Sequence, residues 1–225
     1  MDSIEKALES LRRGDMILIH DSEDRENETD LAVAAEFVKP EHIREMRCRA
    51  GGLICMAIDN GIAESLGLPF MVDIYDAASG KYPLLHDLRA INLPYDERSS
   101  FSITINAKST FTGIPDVDRA KTIREFSELS KNPDRRKFVE CFRSPGHVPL
   151  LIAAPGLMME REGQTESSVA LARLAGLTPA TVICEMLDED KSLSKKDAVK
   201  YARENNLVFV GGSEIKRAWE DACDD

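Results

Sequence analysis

The chain has 225 residues, 43% hydrophobic and 31% charged, enough to close one substantial core and too ordinary in composition for a disordered or low-complexity chain. Its 29 basic and 40 acidic residues leave a net charge of −11, so the average surface repels a polyanion and nucleic-acid binding is disfavoured. The longest apolar stretch, Val148 to Met159, is broken by Pro149 and Pro155 and falls short of the roughly 20 residues of a membrane-spanning helix, which argues against a membrane protein; the charged N-terminus is unlike a secretion signal, and five cysteines without a CxxC pair read as reduced thiols in a cytoplasmic chain.

Ser3, followed by Ile4, Ala7, Leu8 and Leu11 and then Gly14, predicts a capped amphipathic helix. Met16 to Ile19 and Leu31 to Phe37 read as neighbouring strands on either side of a charged decapeptide, 21 to 30. A helix runs from Pro40 to Ala50, broken by Gly51 and Gly52 before a strand from Leu53 to Ile58 and a short helix from Asn60 to Gly67. The stretch 68 to 99 has weak periodicity and is expected to be irregular. Phe101, Ile103 and Ile105 alternate with polar residues as in a half-buried strand. A helix over 116 to 129 follows, then a polar segment leading to RSPGH (143 to 147) and a strand from Val148 to Ala153. A helix from Thr165 to Ala175, a strand from Thr181 to Leu187, a helix over 194 to 205, a strand over 207 to 210 and a final helix to Trp219 close the chain. Two adjacent early strands break strict strand-helix alternation, which favours an α+β domain with a mixed sheet covered by helices over a doubly wound parallel one. No repeat or linker divides the chain, so residues 1–225 read as one domain.

The decapeptide carries six acids, Asp21, Glu23, Asp24, Glu26, Glu28 and Asp30, against Arg25. Such a loop repels itself unless solvated or relieved by a hard divalent cation, which takes oxygen ligands from a few carboxylates and keeps waters and substrate oxygens. If the segment is extended, Glu26, Glu28 and Asp30 gather on one side and Arg25 on the other. In REGQTESS, Gly163 precedes a helix whose expected N-cap is Thr165, and unsatisfied N–H groups there with Arg161 suit a phosphate monoester. His147 stands at the mouth of an apolar strand and is a candidate general base. Glu185 interrupts an apolar strand, where a carboxylate is costly unless paired, protonated or metal-bound. Cys55 and Cys184 read as core.

The ordered segments DSEDRENETDL, AGGLIC, FTGIPDVDRAKTI, FRSPGHVPLL, REGQTESSVALARLAGL and ICEM resemble, nearly end to end, the signature blocks of 3,4-dihydroxy-2-butanone 4-phosphate synthases in their stand-alone form. The resemblance implies a three-layer α+β fold and a homodimer. It implies a lyase of riboflavin synthesis that converts D-ribulose 5-phosphate to L-3,4-dihydroxy-2-butanone 4-phosphate and formate, with Mg²⁺ or Mn²⁺, two ions per site. Carried over by position, Glu26 is a metal ligand, Arg25, Glu26 and Asp30 contact the sugar phosphate, Arg161, Glu162, Gly163, Gln164 and Thr165 hold its phosphate end, and His147 and Glu185 are catalytic, Glu185 also touching substrate. Gln164 stands where the family has a metal-ligating His, and its carbonyl is a neutral hard donor suited to Mg²⁺. Two further readings remain open on the residues: a non-catalytic sugar-phosphate-binding homologue, because of Gln164, and a Mg²⁺-dependent phosphohydrolase, from the acidic cluster.

Overall fold

The computed structural model describes residues 3–22, 24–93 and 96–224; Glu23 of the acidic loop and Pro94 of the stretch expected to be irregular lie outside the described residues. Helix α1 spans Ile4–Arg13. Ser3 Oγ accepts from the Lys6 N–H at 3.4 Å, and Gly14 ends the helix in a left-handed conformation, φ 78°, which costs a glycine little. Strands β1 (Ile17–His20) and β2 (Thr29–Ala34) pair antiparallel on either side of the acidic loop. Pro40 starts α2 (Pro40–Glu45), which continues in a wider turn over Met46–Ala50 and stops at Gly51, φ 89°. Strand β3 (Cys55–Ile58) and α3 (Asn60–Leu66) follow as their sequence predicts.

The stretch expected to be irregular holds α4 (Met71–Ala78), α5 (Leu84–Asp87) and a small hairpin of β4 (Ile91–Leu93) with β5 (Asp96–Arg98), separate from the main sheet. These elements are too short to show a period in sequence. After β6 (Phe101–Ala107) and α6 (Asp116–Ser130), the polar segment is a helix as well, α7 (Arg135–Cys141). Its cap is Asp134, whose Oδ1 accepts from the N–H groups of Arg136 and Lys137 at 2.8 and 3.2 Å. Strand β7 runs Phe142–Ile152, beginning well before the expected Val148, so RSPGH is strand and not loop. The chain ends with α8 (Gln164–Leu174), β8 (Ala180–Glu185), α9 (Lys195–Glu204), β9 (Val208–Gly211) and α10 (Gly212–Asp224), the last running past the expected end at Trp219.

The main sheet has the order β6-β7-β3-β8-β2-β1-β9 and mixes parallel pairs, β1 with β9 and β3 with β7, with antiparallel ones. Alternation along the strands sends Leu31, Met56 and Val182 to one face, packed with Ile43, Phe126 and Ala198 of α2, α6 and α9. Ile19, Ala32 and Ile183 turn to the other face, against Leu11, Leu171 and Ile215 of α1, α8 and α10. Both faces are covered, which explains why the central strands read as continuous apolar runs. The result is the expected three-layer α+β arrangement. No helix among the described residues is long and apolar enough to cross a membrane.

Candidate active site

The acidic loop is not extended. Arg25 N–H closes a turn on the Ser22 carbonyl at 3.1 Å, and Asn27 takes φ 54°, a left-handed conformation that Asn tolerates better than most residues. Asp21 organises the turn from within, its two oxygens accepting from the N–H groups of Glu26 (3.1 Å) and Glu28 (2.8 Å). The break in alternation corrects the expected grouping: Glu28 hydrogen-bonds the Ser192 hydroxyl, while Glu26 and Asp30 line a cavity of about 120 Å³ with Glu185.

Sheet register brings the last two together. In the β2–β8 ladder Asp30 is directly opposite Glu185, and like charges in that relation repel at close range. Burial, then the charges of Glu185 and Glu28, push the Asp30 carboxyl well above its ordinary range. Burial also raises Glu185, against hydrogen bonds from the backbone; its Oε2 accepts from the Leu53 N–H at 2.7 Å. Glu26 is raised by desolvation in its loop, reinforced by Asp21 and Glu28.

The start of α8 forms the opposite wall. Its N-cap is Gly163, with no side-chain cap, and not Thr165, which sits buried in the first turn. A Cβ on Gly163 would lie 2.4 Å from Arg161 Nη1 and 2.7 Å from Glu166 Oε2, so glycine is what allows the Arg161–Glu166 ion pair, 2.5 Å, to cross the helix end. Glu166 is fully buried and also accepts from the Ala154 N–H at 2.9 Å. Gln164 donates through Nε2 to the carbonyls of Ile19 (3.2 Å) and Glu28 (3.1 Å). Gln164, Thr165, Gly163 and Arg161 all line the same small cavity. Arg161 is shared with an adjoining cavity of about 670 Å³ that also meets Arg25, Asp96, Arg98 and Glu162; Glu162 is exposed at its edge and pairs with Lys216 of α10 at 2.6 Å.

Sequence reasoning did not find Asp96 or Glu166. Asp96 binds both Arg25, at 3.2 Å, and Arg161, and its hairpin carries no periodic signal. Since Asp96 occupies donors of both Arg25 and Arg161, the latter shared with Glu166, Asp96→Asn is expected to tighten binding of inorganic phosphate several-fold in isothermal titration; weaker binding would mean that Asp96 orients the arginines and does not compete for them.

His147 is not at this cavity. It lies exposed on β7 beside β6, four residues along the strand from Leu151, which does line the cavity, or about 13 Å at a strand's rise. The segment that carries it is strand and not loop: Gly146, tucked against Ile105 and Asn106, lets it pair with β6.

The donor set at the small cavity fits a hard cation. Asp30 Oδ1 and Gln164 Oε1 are buried with no hydrogen-bond partner, and orphaned oxygens of this kind are costly. Among the described residues no three His, Cys, Asp or Glu side chains converge as a complete metal cluster, so carboxylate, amide, water and ligand oxygens would have to share the coordination, as Mg²⁺ accepts.

A family model described as 3,4-dihydroxy-2-butanone 4-phosphate synthase matches residues 5–218. The chain is 52% identical over 214 residues to the 3,4-dihydroxy-2-butanone 4-phosphate synthase of Methanothermobacter thermautotrophicus, covering 94% of this chain and 93% of that one. Among solved structures it is similar to a 3,4-dihydroxy-2-butanone 4-phosphate synthase in complex with two magnesium ions (TM-score 0.76, 29% identity, 96% of this chain and 95% of that one). It is also similar to the two-domain enzyme RibBX of A. baumannii (TM-score 0.79, 31% identity), where it covers 95% of its own length and 56% of the other's. With the match running across the sheet, the acidic loop and the α8 start alike, the chain belongs to the 3,4-dihydroxy-2-butanone 4-phosphate synthase family, enzymes of riboflavin biosynthesis.

Proposed function

We propose that the protein converts D-ribulose 5-phosphate to L-3,4-dihydroxy-2-butanone 4-phosphate and formate in the cavity between the acidic loop, the β2–β8 ladder and the start of α8. The observation that carries this reading is the opposed pair Asp30 and Glu185, held in register beside Glu26, Gln164, Thr165 and Arg161. Arg25 and Arg161 receive the phosphate with the N–H groups of Gly163, Gln164 and Thr165, a use of an unblocked helix start that suits an anion; Asp30 and Glu26 meet the sugar hydroxyls. Glu185, anchored through Oε2, offers Oε1 for proton transfer, and burial, which raises its carboxyl, makes it a stronger base than a free carboxylate. Glu26 and Gln164 would hold Mg²⁺ or Mn²⁺, two ions sharing the cavity's oxygens, and a bound cation would stabilise the charge that enolisation develops on substrate oxygens.

His147 takes part as a group supplied by a second copy. The loop that Asn106 ties to its side carries Phe111, 92% exposed, with Ile114 and Val117 about half exposed after it, apolar side chains that fit a homodimer in which each chain completes its neighbour's cavity. The proposal is tested by incubating the protein with ribulose 5-phosphate and Mg²⁺ and measuring formate and inorganic phosphate: formate without phosphate is expected, phosphate alone would make it a phosphohydrolase, and neither would make it a binding homologue. Glu185→Gln and His147→Asn are each expected to be inactive, yet unfolding and refolding them together should restore about a quarter of parental turnover, since half the dimers would then carry one intact site. No recovery would remove the second copy from the mechanism.

A further inference from the structure

We propose that Asn106 is a positioning residue that fixes His147 in the tautomer with its proton on Nε2, so that the ring meets the substrate as a hydrogen-bond donor and not as a base. This rests on the reading that His147 serves the cavity of a second copy. Asn106 is 3% exposed at the end of β6. Its Oδ1 accepts from the backbone N–H of His147 at 2.8 Å, and its Nδ2 donates to the carbonyl of Thr112 at 3.2 Å. A backbone N–H can only donate and a carbonyl can only accept, so these two bonds assign the orientation of the amide. The same Nδ2 lies 3.0 Å from His147 Nδ1. Nδ1 must then offer its lone pair, and in the neutral ring the proton stands on Nε2. An N–H at Nδ1 would point at the N–H of Asn106.

The amide is closely packed as well as bonded on both sides. A Cβ on Gly113 would come within 2.2 Å of Asn106 Nδ2, so the 110–113 loop lies directly on the amide, while Gly146 packs against the backbone of Ile105 and Asn106 and fixes the strand that carries it. Arg143 donates to the Phe111 carbonyl at 2.8 Å and holds the 110–113 loop in place. A neutral imidazole donating through Nε2 polarises a carbonyl or hydroxyl oxygen without itself exchanging a proton. Proton abstraction then falls to the cavity carboxylates Glu26, Asp30 and Glu185.

The experiment is ¹⁵N NMR of histidine-labelled protein at neutral pH, with the His147 signals identified by their loss in His147→Gln. Expected are an unprotonated Nδ1 and a protonated Nε2 in the parent, and the reverse in Asn106→Asp, whose carboxylate would accept from Nδ1. A parent with the proton on Nδ1, or a pattern that Asn106→Asp leaves unchanged, would overturn the inference while leaving the second-copy reading intact. Turnover supplies the independent arm. His147→Gln keeps an N–H near the position of Nε2 and is expected to exceed His147→Glu, which offers a base, by at least about tenfold. The opposite ranking would restore the base role, and parental turnover in both would remove His147 from the reaction, and this inference with it.

Discussion

Gly52→Ala is expected to lower formate production by at least about a hundredfold, the scale of a lost acid–base group, although residue 52 touches no substrate. A Cβ at this position would sit 2.4 Å from Glu185 Oε2, 2.6 Å from the Glu185 carbonyl oxygen and 2.8 Å from its Cβ. Two of those three atoms belong to the root of the residue and not to its flexible end, so the strand end itself must move. The shift breaks the Gly52 N–H bond to the Glu185 carbonyl, 3.0 Å, and the Leu53 N–H bond to Glu185 Oε2, 2.7 Å. Overpacking of this kind costs about 1–3 kcal/mol, visible in urea titration as a lower midpoint with an unchanged slope. Near-parental turnover in the variant would show that the position of Glu185 is not critical.

Glu26→Gln separates stability from activity. The carboxylate is crowded by Asp21 and Glu28, so replacing it with an amide relieves repulsion, and the metal-stripped variant is expected to melt no lower than the parent. Turnover should nevertheless collapse. Changing a residue behind a metal ligand already costs about 10- to 100-fold, so losing a charged ligand should cost at least about a hundredfold. Thermal melts across a Mg²⁺ titration give a readout that does not depend on catalysis: the parent should gain about 2.7 kcal/mol at a hundred times its dissociation constant, and Glu26→Gln much less at the same concentration. Equal gains in the two proteins would take Glu26 out of the metal site.

Much of this architecture was legible from period and punctuation. The Ser3 cap and Gly14 stop of α1, the Pro40 start of α2 and the apolar central strands follow from local rules that tertiary packing here reinforces. What stayed hidden has identifiable causes. The alternation argument for the acidic loop failed at Asn27, whose left-handed backbone rotates Glu28 away to Ser192. Thr165 was the obvious cap by residue type, but the buried Arg161–Glu166 pair claims the space across Gly163. Candidate residues near the α8 start and in the loop do converge, since sequence neighbours travel together; Asp96 and Glu166 were missed because their partners are fixed only by folding. His147 was identifiable as a chemical group but not by location, for the period of a strand does not reveal which side of the sheet edge meets a cavity.

The opposed placement of Asp30 and Glu185 means that the backbone spacing of the two carboxylates proposed to meet the substrate is set by the ladder of β2 and β8, the middle strands of the sheet. While the strands stay paired the Cα spacing of the two residues is fixed, and the hydrogen bond from the Leu53 N–H to Glu185 Oε2 restrains the side chain as well. The walls around them are made differently, from a turn held by Asp21 and a two-stranded hairpin outside the main sheet. Substitutions in turn and hairpin can therefore retune which ligand is admitted while the floor stays rigid, whereas altering the spacing of the floor would require a new strand register and so a new core. The paired carboxylates are thus set by the part of the fold least able to change.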